Sequence, residues 1–159
     1  MRWFLDTEFN EDGKTIELIS IALVSEKLEM YYAVSADFNE SRIWRTNPWV
    51  AQNVLPQLEG EDRIPRAQIR DDIKDLVLFR DKPEFWGYFA DYDWVVFCQL
   101  FGKMIDLPKG MPMYCNDLKQ LMRERGIRKE ALPSQDGQEH NALYDARWVR
   151  DAWLWIHRA

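Results

Sequence analysis

The first 36 residues constrain the fold most, because three apolar runs follow one another there across very short polar connections. RWFLDTEF (2–9) is followed by NEDGK, a turn sequence in which Gly13 is free to take positive φ. TIELISIALVS (15–25) is β-branched and apolar enough for a buried strand, and MYYAVSA (30–36) follows after EKLE. Connections this short cannot carry a crossover helix, so the three strands must form an antiparallel meander. Near the end of the first strand stand Asp6 and Glu8. Side chains two apart on a strand share a face, so both carboxylates point the same way from an otherwise apolar segment.

The rest of the chain alternates between helical and strand patterns. NPWVAQNVLPQL and PRAQIRDDIKDLVLFR each carry proline where a helix can begin, and in the second Ile69, Ile73, Leu76 and Phe79 (or Val77) make an apolar stripe. PEFWGYF (83–89) reads as a strand, followed by a helix from about Asp91 through DWVVFCQLFG. MPMYCND reads as a last short strand leading into the helix DLKQLMRERG, closed by Gly126. Residues 127–139 read as a loop. HNALYDARWVRDAWLWIHR reads as a final helix with Leu143, Ala146, Val149, Trp153 and Ile156 on its apolar face. This order predicts an α/β fold, with a mixed sheet of about five strands, three antiparallel and then parallel, and helices packed against it. At 159 residues, with no linker or repeat, the chain is expected to be one domain, 1–159.

A net charge of −6 argues against a protein that grips long nucleic acid through a basic surface. It leaves room for one that meets a few phosphates through bound cations. No apolar leader is visible near the N-terminus, and LISIALVS and WVVFCQLFG are too short to span a bilayer. Cys98 and Cys115 fit a reduced compartment better than a disulfide framework, so a cytoplasmic protein with no membrane partner is expected.

Three acidic clusters carry the chemistry. Asp6 and Glu8 are costly inside a sheet unless a cation compensates them, and hard divalent ions with oxygen ligands are the obvious candidates. In WGYFADYDW, either Asp91 or Asp93 can cap the helix that follows, which frees the other; Asp93 is the preferred ligand and Asp91 the fallback. In HNALYDA, His140 and Asp145 are five residues apart, about 140° around a continuous helix. They can converge only if His140 belongs to the loop or first turn while Asp145 lies inside the helix.

Taken in order, D-x-E on the first strand, aromatic-Asp in the middle and H-x4-D opening the last helix resemble the motifs of the DEDD-superfamily 3′→5′ exonucleases. Asn141 stands where the Tyr variant needs tyrosine, so the resemblance is to the His variant. DTEF followed closely by EDGKTIELISIALVS, in so short a chain, is most similar to the polyadenylate-specific 3′-exoribonuclease AS proteins. The resemblance implies a ribonuclease H-like fold. It also implies two Mg²⁺ ions, replaceable by Mn²⁺, on Asp6, Glu8, Asp93 and Asp145, with His140 as general base. It implies release of nucleoside 5′-monophosphates from the 3′ ends of single-stranded RNA, adenylate-rich RNA among the candidates.

Phe9 has two readings, a wedge beside the terminal base or a core residue on the face opposite Glu8. RERGIRK (123–129) is either a contact for backbone phosphates or a solvated helix end. Trp148 and Trp155 fall off the apolar stripe of the last helix, so they either form a homodimer surface or pack under the long loop. Two alternatives stand beside the exoribonuclease reading: a 3′→5′ DNA exonuclease of proofreading type, and a catalytically idle ribonuclease H-like binding module.

Overall fold

The computed structural model describes residues 1–78 and 82–158. Strands β1 (Arg2–Glu11), β2 (Ile16–Ser25) and β3 (Met30–Ser35) form the expected antiparallel meander. Side-chain oxygens close both hairpins. Asp12 accepts the backbone N–H groups of Lys14 and Thr15, and the Ser25 hydroxyl accepts those of Lys27 and Glu29.

The chain continues through helices α1 (Glu40–Thr46) and α2 (Pro48–Asn53), strand β4 (Arg63–Ile64) and helix α3 (Arg66–Leu78). Strand β5 (Glu84–Gly87), helix α4 (Asp91–Phe101), strand β6 (Asn116–Asp117), helix α5 (Leu118–Glu124) and helix α6 (Ala142–Arg158) complete it. Sheet order is β4-β3-β2-β1-β5-β6, with β5 parallel to β1, β6 parallel to β5 and β4 parallel to β3. The mixed α/β architecture is therefore the expected one. The sixth strand, β4, is two residues long and offers no alternation to read. Helix α1 was also not anticipated, because only Ile43 is buried along it and no apolar stripe forms. The single helix expected over 47–58 is instead α2 followed by a 3₁₀ turn at Leu55–Leu58, where Pro56 cannot donate to a helical ladder. In α3, Ile69, Ile73 and Val77 are buried and Leu76 partly so; Phe79 lies outside the described residues.

Strand β1 is covered on both faces. Trp3 and Leu5 pack with α3 and α4, while Phe4 packs with α5 and α6. Such a strand reads as a near-continuous apolar run, as RWFL does. Ala22 of β2, the register partner of Asp6, packs with Ala142 and Ala146 of α6. These small side chains let α6 lie close to the sheet just where β1 turns acidic.

Trp148 is buried under the 127–139 loop, its indole N–H donating to the Pro133 carbonyl, so the expected self-association surface reduces to the partly exposed Trp155. Cys98 and Cys115 are both free. Among the described residues no helix is long and apolar enough to cross a membrane.

Candidate active site

Asp6 and Glu8 leave β1 on the face that α6 covers. The register slips between Glu8 and Phe9, so that Ser20 opposes Glu8 and Leu18 opposes Phe9, with Ile19 as the extra residue. A bulge of this kind raises local twist and re-aims side chains at a strand end. Asp145 comes down from the first turn of α6, and one carboxylate oxygen each from Asp6, Glu8 and Asp145 lie within 4.8 Å of one another.

His140 stands outside the helix. It adopts left-handed backbone, φ +67°, and α6 begins two residues later at Ala142. Asn141 Oδ1 accepts the N–H of Leu143, serving the helix start. The turn at His140 aims its own N–H at Asp145 Oδ2, 3.0 Å away, while the Gln135 amide donates to Oδ1. Both oxygens of Asp145 are thus oriented by the preceding loop. The imidazole ring meets Trp49 of α2 edge-to-face, with centroids 4.7 Å apart. His140, Asp6 and Asp145 line one cavity of about 210 Å³ together with Tyr88, Lys129 and Trp148. A larger concavity, about 670 Å³, lies at the other end of β5 around Lys82–Phe85 and Lys109–Pro112, away from the acidic group.

Asp93 reaches the site from the opposite layer. Gly87 ends β5 in a turn so tight that a Cβ there would meet the Ala90 Cβ at 2.7 Å and the Leu5 carbonyl at 3.3 Å. Asp117 holds the N–H of Ala90, the residue before α4, at 2.8 Å. Asp93 then sits buried, accepting the backbone N–H of Thr7 at 2.8 Å and its hydroxyl at 2.6 Å. It stands beside the trio rather than within it. Asp91 is exposed at the first position of α4 and caps nothing, since the N-cap residue is Ala90 with no side-chain cap.

Burial pushes the Asp6 carboxyl well above the usual carboxylate range, and the charges of Asp93, Asp145 and Glu8 push it further. Glu8 is raised to about 8, first by burial and then by Asp145 and Asp93. Asp93 is raised to about 6 by burial, with the Thr7 hydrogen bonds pulling the other way. Asp145 is raised by burial against the opposing pull of Gln135 and the His140 N–H. Among the described residues no lysine or arginine forms an ion pair with any of these four acids. All their donors are oxygen, the set that hard divalent ions prefer, so the residues fit Mg²⁺ or Mn²⁺.

Phe9 lies on the face opposite Glu8, half-buried, and stacks on Tyr92 at 5.8 Å with 17° between planes. Three residues that orient the site escaped sequence reading: Thr7, Gln135 and Trp49. Thr7 is hidden between the two acids as an ordinary strand residue. Gln135 lies in a loop without periodicity, and Trp49 belongs to a six-residue helix.

The family model of the Rv2179c-like 3′-5′ exoribonuclease domain matches residues 1–157. The 3′-5′ exoribonuclease Rv2179c of Mycobacterium tuberculosis strain H37Rv is 41% identical over 152 residues, covering 92% of this chain and 88% of its own. Its counterpart in strain CDC 1551 matches to the same extent. Among solved structures, S. pombe Pop2p in its Mg²⁺- and Mn²⁺-bound form aligns with a TM-score of 0.68 at 16% identity, over 98% of this chain and 82% of that one. Product-bound exonuclease I aligns with a TM-score of 0.62 at 19% identity, over 99% of this chain and 43% of that one. At such identities the likeness speaks for the fold alone, a ribonuclease H-like α/β fold.

Proposed function

Because the chain belongs to the Rv2179c-like 3′-5′ exoribonuclease family, we propose that it works as a two-metal enzyme of the His variant, with Asp6, Glu8, Asp93 and Asp145 as ligands and His140 as general base. The substrate in this reading is the 3′ end of single-stranded RNA, adenylate-rich ends included, and the products are nucleoside 5′-monophosphates. The observation that carries it is the convergence of Asp6, Glu8 and Asp145 within 4.8 Å, with Asp93 anchored next to them through Thr7.

Divalent ions, when bound, would neutralise the scissile phosphate and make a water acidic enough to attack it. The chain's own residues do the rest. Asp6, which lies among the charges of Asp93, Asp145 and Glu8, would be a ligand to the ions. Gln135 and the His140 N–H fix the rotation of Asp145, and Thr7 fixes that of Asp93, so the ligand oxygens are oriented before substrate arrives. The His140 imidazole faces the same cavity and accepts the proton of the attacking water. Trp49 limits the ring's swing.

The test is digestion, with Mg²⁺, of 5′-labelled RNA and DNA oligomers of one sequence, with free or blocked 3′ ends and with oligoadenylate as one member. A ladder from unblocked RNA, absent with Asp6→Asn, is the expected result. Internal cuts in blocked RNA, cleavage of DNA alone, or retained cleavage by Asp6→Asn at saturating Mg²⁺ would each overturn the reading.

A further inference from the structure

The basic run 123–129 contains four cations, and the structure gives them different tasks. Arg125 donates to the Ile156 carbonyl and ties α5 to the end of α6. Arg123 and Arg128 are exposed. Lys129 is the member of the run that lines the cavity shared by Asp6, His140 and Asp145, and it also lines the adjoining concavity of about 280 Å³ around Ser134 and Gln135.

Two rings hold Lys129 in place. Its Nζ lies 5.4 Å from the Trp148 ring centroid and 6.0 Å from that of Tyr88, and those rings meet edge-to-face at 5.0 Å. Among the described residues it forms no ion pair with a carboxylate. An ammonium over two aromatic faces has lost part of its rotamer freedom already, yet keeps its N–H donors for a ligand. Among the described residues it is also the one lysine or arginine in a cavity whose other ionisable groups include Asp6, Glu139, His140 and Asp145.

An exonuclease that cuts the last linkage meets a simple geometry. The terminal nucleotide carries the scissile phosphate on its 5′ side and a free 3′ hydroxyl. Only one phosphate therefore adjoins the scissile one, on the 5′ side of the penultimate nucleotide. The bound ions would serve the scissile phosphate, and its neighbour must still be held near an acidic surface. A compact ammonium suits a single phosphate oxygen there.

We propose that Lys129 is the anchor for this adjacent backbone phosphate and so makes the enzyme favour ends that carry it. The proposal rests on the metal-dependent exonuclease reading above. The class of ligand is a nucleotide 5′-phosphate, whether internal to a chain or terminal on a dinucleotide.

The test compares the diadenylate ApA, which has only the scissile phosphate, with its 5′-phosphorylated form pApA, in the wild type, Lys129→Met and Lys129→Arg. The wild type should favour pApA about tenfold in kcat/KM, mostly through KM, as one charge-assisted contact gives. Lys129→Met should bring that ratio to about one, and Lys129→Arg should keep most of it. On a longer RNA, Lys129→Met should raise KM with little change in kcat and make log(kcat/KM) less steep in log salt by roughly 0.7. A wild type indifferent to the 5′-phosphate, or a Lys129→Met enzyme that keeps the preference, overturns the assignment. A Lys129→Met loss equal on ApA and pApA also overturns it, since Lys129 would then act on the scissile step. Asp6→Asn assayed beside these separates the two levels: activity that survives in it removes the metal-dependent reading, whatever Lys129 does.

Discussion

Replacing Glu8 by glutamine should stabilise the metal-free protein while disabling the metal-loaded one. Glu8 is half-buried beside Asp6 and Asp145, and its carboxyl is raised from 4.5 to about 8. A group whose folded value is raised favours the fold below its unfolded value and opposes it as pH climbs toward the folded value. Its contribution is thus intact below about 4.5 and lost progressively up to about 8. At pH 7 the unfolded chain has released this proton and the folded chain still holds most of it, a difference of up to ~3 kcal/mol at 1.36 kcal/mol per pK unit. Glutamine keeps the shape and removes the titration. For a domain of this size, the metal-free melting temperature should rise by roughly 6–12 °C at pH 7. The advantage should shrink to ~1 kcal/mol at pH 5 and grow to ~4 kcal/mol at pH 8. Calorimetric melts in EDTA at the three pH values measure it, and the same melts with Mn²⁺ should show the wild type gaining more from the ion. Glu8→Gln melting at or below the wild type at pH 7, or a gap that does not change with pH, would refute the placement of Glu8 in an uncompensated acidic group.

The same raised carboxyls make protons compete with metal. The Mg²⁺ concentration giving half-maximal activity should therefore rise as pH falls from 8 to 6, through the values of Glu8 and Asp93; a requirement independent of pH contradicts this. His140→Ala should lower turnover by roughly 10²–10⁴ while the thermal shift on adding Mn²⁺ survives, so near-normal turnover would remove His140 as base. Thr7→Val deletes one of the two Thr7 donors to buried Asp93, at a cost of about 1–3 kcal/mol in melting, and should raise the Mg²⁺ requirement. If the metal requirement is unmoved, Asp93 does not depend on Thr7 for its orientation.

The parts of the fold legible in the sequence are those whose residues serve one period over several positions. The β1–β3 meander and the stripe of α6 are of that kind, because a strand covered on both faces and a helix laid on a sheet leave uninterrupted apolar patterns. Strand β4 and helix α1 left none: two residues cannot alternate, and α1 buries Ile43 while exposing Trp44. The H-x4-D spacing was readable as a constraint but not as a conformation. Left-handed backbone is uncommon at any non-glycine residue, histidine included although it is among the enriched types, so the spacing does not announce it; yet it is what turns His140 back toward Asp145. The choice between Asp91 and Asp93 likewise turns on which of two nearby acids finds buried donors. Those donors come from Thr7, 86 residues away in sequence.

That pairing explains why the site is centred on three consecutive residues of β1. Alternation sends Asp6 and Glu8 to the α6 layer and Thr7 to the α4 layer. Asp145 descends from α6 onto the first pair, and Asp93 is drawn from α4 onto the threonine between them. A strand at the sheet's edge, covered on one face only, could not collect carboxylates from both layers at its end. The interior position of β1, flanked by antiparallel β2 and parallel β5, is therefore a condition of the site as well as of the core. The reversal from antiparallel to parallel pairing at β1 serves the same end. A parallel β5 finishes beside the acidic end of β1, and the turn after Gly87 then delivers the start of α4, with Asp93, to Thr7.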